Sequence, residues 1–195
     1  MMWCALAVAA GGACEDRKQA EGGDPPSRVN SAKTAARKAA TPEEFCDAHY
    51  PPGKGPAFQW PGLAASTPPP GPATGWRWIN VWATWCNPCV AEMPRLRGWR
   101  DKLAAAGKPV ELAFVSIDET DAEVAEFRKA HPDTPPSLRL ADPTKSPAWF
   151  REVGLSGGQR IPIHLFVDPT NHLRCVREGE VRDQDYAVVE KLLGS

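Results

Sequence analysis

The stretch WRWINVW, Trp76 to Trp82, crowds apolar side chains onto both faces of an extended run. Side chains alternate sides along a strand, so such a strand must be covered above and below. It belongs in the middle of a sheet. VELAFVSID (Val110–Asp118) and IPIHLFVD (Ile161–Asp168) have the same character. Helix signals lie between them. One helix is predicted from Cys86 or Asn87 to about Ala106, where Gly107 ends it. Thr120-x-x-Glu123 is a capping box opening a helix to about His131, and Ser146-Pro147 opens a short one to about Val153. After Asp168 a turn, DPTN, leads to LRCVRE (Leu173–Glu178) as a hairpin partner, and Asp183 is expected to cap a last helix through Leu193. Strands alternating with helices and closing with a hairpin and helix predict an α/β domain with a mixed central sheet.

Ahead of this domain the pattern weakens. Thr41-Pro42-Glu43-Glu44 starts a helix, with Thr as N-cap, Pro at the first position and an acid at the third. His49-Tyr50-Pro51-Pro52 must end it, so residues 41–55 read as a short helix and a connection, with the domain over 56–195. Ala57-Phe58-Gln59 is a candidate edge strand. Residues 15–40 hold no aromatic side chain and few large aliphatics, too little apolar surface to offset the entropy of ordering. A flexible tether of roughly 26 residues spans on the order of 30 Å. MMWCALAVAAGGAC (1–14) is uncharged and apolar and ends in small residues before Cys14, the profile of an export signal. It resembles a bacterial lipoprotein signal, which would put a lipid on Cys14, although no Lys or Arg precedes the apolar run and Gly11 stands where such signals usually carry Leu. No apolar run approaches the roughly 18 residues of a membrane-spanning helix. A formal charge of −1 without a basic stripe gives no reason to expect a nucleic-acid partner.

WATWCNPCVAEMP, Trp82 to Pro94, follows the first strand directly. A C-x-x-C pair can hold a metal, staple the chain or exchange electrons. A structural metal needs further ligands at matching spacing. The chain has six Cys and four His, but Cys4, Cys14, Cys46 and Cys175 stand isolated, so no metal site is expected. A purely structural bridge across so short a loop removes little unfolded-chain entropy. Redox exchange remains. Cys86 falls at a helix N-terminus, where unpaired N–H groups and the dipole favour a thiolate. Cys89 follows one turn later, within bridging reach and shielded by the helix.

These residues resemble the active site of the thioredoxin superfamily, in particular its exported TlpA/ResA/CcmG-like thiol–disulfide oxidoreductases. Pro94, five residues after Cys89, matches the kink proline of that family's active-site helix, and Ile161-Pro162 stands where the family has its cis-proline. An extra helix and strand over about Thr120–Leu140 match the central insertion of the TlpA-like branch. The resemblance covers roughly Pro56 to Leu193. It implies a thioredoxin-like fold, with a central mixed sheet flanked by helices, and no cofactor beyond a redox-active Cys86–Cys89 disulfide. It implies Cys86 as the exposed nucleophile and Cys89 as the resolving thiol. Pro162 would be cis against the pair, leaving the Ile161 backbone to pair with an extended substrate; Trp85 would cover the pair and, with Pro88, touch substrate. Where thioredoxin has a buried Asp before the motif, this chain has Asn80, which cannot ionise. TlpA-like proteins carry a Glu three residues after the second cysteine, and Glu92 matches it, on the same helix face as Cys89. His164 is expected to be a strand histidine satisfied by its neighbours.

The expected function is an extracytoplasmic reductant of specific protein disulfides, such as the apocytochrome c cysteines. A membrane electron donor of the DsbD/CcdA type would recharge the protein, and a monomer is expected. A disulfide-forming oxidase is the alternative within the same chemistry. A copper-handling protein on this fold would use C-x-x-x-C with a downstream His, and a thiol peroxidase would use T-x-x-C, whereas Thr84 lies two residues before Cys86. The family motif leaves Cys46 and Cys175 unexplained. Isolated cysteines in an exported protein either pair or remain exchange hazards. They are expected to form a structural disulfide pinning the N-terminal helix against an edge of the sheet.

Overall fold

The computed structural model describes residues 41–65, 74–156 and 160–194. The signal and tether readings (1–14 and 15–40), and with them Cys14, lie outside the described residues. The elements in chain order are α1 (Pro42–Phe45), β1 (Ala48–His49), β2 (Trp76–Trp82), α2 (Asn87–Ala105), β3 (Val110–Ser116), α3 (Asp121–Ala130), β4 (Leu138–Arg139), α4 (Ser146–Glu152), β5 (Ile163–Val167), β6 (Leu173–Glu178) and α5 (Tyr186–Leu192). Short 3-10 turns, Pro143–Lys145 and Asp183–Asp185, lead into α4 and α5.

The sheet order is β1-β6-β5-β2-β3-β4. β2 pairs parallel with β3, and β3 with β4, while β2–β5, β5–β6 and β6–β1 are antiparallel. β2 is central and buried along almost its whole length, as its apolar crowding on both faces requires. Its alternate residues divide the core. Trp78 and Trp82 pack in one layer with Leu96 and Trp99 of α2 and with Val189 and Leu192 of α5. Ile79 and Val81 pack in the other layer with Trp149 and Phe150 of α4. α3 and β4 are the extra helix and strand expected, β4 pairing at the edge beside β3.

Three local expectations change. His49 does not merely end a helix. Ala48 and His49 pair with Val176 and Cys175, adding an edge strand from the segment read as a connection. Ala57–Gln59 forms a single bridge, Ala57 to His172, instead of a strand. Asp183 does not cap the last helix. Its carboxylate takes the Arg95 guanidinium at 2.8 Å, and Asp185 accepts the Arg182 N–H at 2.8 Å. A salt-bridge partner on α2 outweighs the local cap signal.

Candidate active site

β2 ends at Trp82, and a four-residue turn delivers the chain to α2. Cys86 is the N-cap of α2, and its Sγ accepts the Cys89 N–H at 3.3 Å. A sulfur thus fills the place that a Ser or Asp oxygen takes at other helix starts, in the positive field of the helix terminus. Cys86 and Cys89 are joined as a disulfide, with Cα atoms 5.3 Å apart. Cys89 is fully buried and Cys86 is only 5% exposed. Cys86 is therefore the outer sulfur of the pair, but not the openly exposed one expected. Pro94 lies inside α2, which continues through it to Ala105.

The Ile161–Pro162 bond is cis. The Ile161 carbonyl oxygen lies 3.7 Å from Cys86 Sγ, and the Pro162 carbonyl accepts the Gly179 N–H at 2.8 Å. Pro88, Ile161 and Pro162 line one side of a groove of about 360 Å³, with Asp47, Glu178 and Glu180 among its other walls. Trp85, next to Cys86, is 65% exposed, the one large hydrophobic side chain so exposed among the described residues.

Under the pair lies a polar cluster with no solvent contact. Glu92, one turn beyond Cys89, is fully buried. Its Oε1 accepts from Asn80 Nδ2 at 2.9 Å and its Oε2 from the Val181 N–H at 3.0 Å. Asn80 therefore supplies a donor to the carboxylate of the neighbouring helix instead of a second acid. His164, also fully buried, is not the fully satisfied histidine expected. Its Nδ1 lies 3.2 Å from Trp78 Nε1 and 3.4 Å from Asn80 Nδ2. Its Nε2 lies 3.4 Å from Glu92 Oε1 and makes no hydrogen bond.

Sequence reasoning missed Asp118. It is 2% exposed, and its carboxylate accepts the Thr84 N–H at 3.1 Å, the Thr84 hydroxyl at 2.7 Å and the Ser116 hydroxyl at 2.6 Å. It ties the turn before Cys86 to the end of β3. A signal existed: Ser116 and Asp118 are polar residues two apart at the end of an apolar strand, hence on one face. Cys46 and Cys175 form a disulfide, with Cα atoms 5.4 Å apart, in the same core layer as the C-x-x-C pair. Among the described residues no group of three or more His, Cys, Asp or Glu is arranged to hold a metal ion.

Residues 77–170 match the family described as Thioredoxin-like. The fold is thioredoxin-like. Among curated relatives, the thiol-disulfide oxidoreductase ResA of Oceanobacillus iheyensis is 43% identical over 49 residues, covering 25% of this chain and 24% of that protein. The thioredoxin-like protein YneN of Bacillus subtilis is 36% identical over 64 residues, 31% of this chain and 35% of that one. The match thus spans about a quarter to a third of these relatives' length. Among solved structures, a thioredoxin-related protein from Neisseria meningitidis serogroup B superposes with a TM-score of 0.51 at 24% identity, over 69% of this chain and 97% of that one.

Proposed function

We propose that this chain is an exported thiol–disulfide oxidoreductase whose Cys86–Cys89 dithiol reduces specific protein disulfides. One observation carries the reading: a C-x-x-C disulfide at a helix N-terminus, its outer sulfur 3.7 Å from the carbonyl preceding a cis-proline. The short-range likeness to relatives named thiol-disulfide oxidoreductase supports it. In the reduced protein the Cys86 thiolate attacks a substrate disulfide, forming a mixed disulfide and releasing one substrate thiolate. Cys89 gives its proton to Glu92 and attacks Cys86 Sγ. The second substrate sulfur leaves as thiolate, two electrons have passed to the substrate, and Cys86–Cys89 is oxidised. The groove beside Pro88, Ile161 and Pro162 takes the substrate chain, and Trp85 adds an apolar contact. The redox disulfide is the only cofactor in this reading. The substrate class is a specific cysteine pair such as that of apocytochrome c. A membrane donor of the DsbD/CcdA type returns the electrons, and a lipid on Cys14 with the tether over 15–40 keeps a monomer near it.

The test is covalent trapping. Cys89→Ser removes the resolving thiol, so non-reducing capture from an envelope extract should yield adducts through Cys86 that disappear with dithiothreitol. Trapping by Cys86→Ser instead would reverse the two roles, and trapping by neither would remove the exchange mechanism. The reduction potential sets the direction: a value well below that of glutathione fits a reductant, and one near roughly −120 mV fits an oxidase.

A further inference from the structure

One titratable side chain buried beside Glu92 has no part in the mechanism above. His164 sits on β5, fully buried, against the carboxylate that takes the Cys89 proton. Its surroundings decide where its own proton lies. The indole nitrogen of Trp78 can only donate, so at 3.2 Å it requires His164 Nδ1 to accept. Asn80 Nδ2 has two hydrogens. One goes to Glu92 Oε1 at 2.9 Å, and the other faces the same Nδ1 at 3.4 Å. The ring proton is therefore on Nε2, and Nε2 is the atom that lies 3.4 Å from Glu92 Oε1.

Other charged groups stand near the pair. Arg177 of β6 stands directly across from His164 in the strand pairing, and its guanidinium donates to the Phe45 carbonyl at 3.1 Å. On α2, Arg95 donates to the Val181 carbonyl and pairs with Asp183, on the far side of the residue whose N–H reaches Glu92. Cys89 is the remaining titratable group on α2 near Glu92, and it is bonded to Cys86 in this oxidised form.

We propose that His164 is a positioning residue for Glu92: its locked Nε2–H lies 3.4 Å from the carboxylate without hydrogen-bonding to it, and the positive end of that N–H supports the negative charge that receives the Cys89 proton. This rests on the reading of Glu92 as that proton acceptor. The bias has one direction because the tautomer cannot reverse. When Cys89 Sγ–H passes its proton to Glu92, the new carboxylic acid meets an N–H that has no lone pair to offer. The acid form loses an electrostatic attraction that the carboxylate keeps, so the proton is readily released again. No electron moves in this step.

The test uses the full chain, reduced, with oxidised glutathione as the disulfide probe. Release of the second glutathione from the mixed disulfide at Cys86 is followed in single turnover against pH. His164→Leu should move the acid limb of that profile to higher pH, because the carboxylate loses a nearby positive dipole. His164→Gln, which keeps an amide N–H near the Nε2 position, should restore most of the shift. In a Glu92→Gln background, His164→Leu should move nothing. If Glu92→Gln alone leaves the wild-type profile intact, Glu92 is not the acceptor and both readings fall. If Glu92→Gln alters the profile while His164→Leu does not, only the role of His164 is overturned. Nitrogen-15 NMR of the wild-type imidazole gives an answer independent of any variant's folding. A proton on Nε2 alone between about pH 5 and 8 supports the proposal. A δ-tautomer, or an imidazolium at neutral pH, overturns it.

Discussion

Asp118 shows how a residue outside the C-x-x-C pair can fix the turn that carries it. Its carboxylate gathers the Thr84 N–H, the Thr84 hydroxyl and the Ser116 hydroxyl, and so fixes the turn that presents Cys86. Asp118→Ala leaves these donors without an acceptor in a nearly closed site. The expected loss is about 1–3 kcal/mol of stability. Exchange at Cys86 should slow on the order of tenfold, because small misplacements of a nucleophile are expensive. Asp118→Asn keeps an acceptor oxygen and should retain most of both. Urea unfolding and stopped-flow exchange measure the two effects. A wild-type rate in Asp118→Ala would mean that the turn holds its shape without the clamp. At this scale the placement of the C-x-x-C pair and Glu92 along one helix was legible in the sequence, because it follows from their spacing. Asp118 was legible only as a polar residue closing a strand.

At the scale of elements, the β5–β6 turn is organised by one carboxylate. Asp168 Oδ1 accepts the Thr170 N–H at 2.9 Å, the Thr170 hydroxyl at 2.6 Å and the His172 N–H at 3.0 Å. Asn171 takes the left-handed conformation, φ 63°, that Asn tolerates better than most residues. Burial pushes the Asp168 carboxyl up, but these hydrogen bonds and the Arg174 charge together pull it down further, to below the ordinary Asp value. A carboxyl depressed in the folded state contributes stability above its unfolded value, about 3.9, and loses it as pH falls through the folded one. Asp168→Asn should therefore be less stable than wild type by about 1–3 kcal/mol at neutral pH. That gap should narrow as the pH drops below about 4. Denaturation midpoints of both proteins across the acid range check this, and a gap that is flat with pH would detach the turn from the charge of Asp168. The turn was visible in DPTN, and so were the helices with capping boxes. β1 was not, since two residues ahead of a Pro-Pro pair become a strand only because β6 offers them an edge.

At the scale of the molecule, the Cys46–Cys175 bridge ties the segment after α1 to β6 and closes 129 residues of chain. Closing a loop of that length lowers the entropy of the unfolded chain by an amount worth roughly 4–5 kcal/mol, less any strain in the fold. The double change Cys46→Ser with Cys175→Ser should lower stability by up to about that much. Single-turnover exchange at Cys86 should stay near the wild-type rate, because the bridge has no part in the proposed reaction. Equilibrium unfolding of oxidised wild type and variant gives the first quantity, and the glutathione assay gives the second. Unchanged stability would mean that the bridge adds nothing to the packing of Phe45 and Phe166, which meet edge-on beside it at 6.4 Å.

The sequence by itself determined the class of fold, the order of its main elements and the place of the C-x-x-C pair. Apolar periodicity, caps and turn residues are local properties, written within a few residues of where they act. What it could not carry is which side chains meet across the core. Glu92 finds the Val181 N–H 89 residues along the chain, Thr84 finds Asp118 34 residues along, and His164 reaches Trp78 from 86 residues away. Even the glycine at 55 has its reason elsewhere, since a Cβ there would lie 1.8 Å from the Leu173 carbonyl oxygen. A pattern says which face of a strand or helix must be covered. Sheet order, register and helix placement decide what covers it, and here they turn an asparagine, a histidine and a glutamate from three segments into one buried cluster beneath the disulfide.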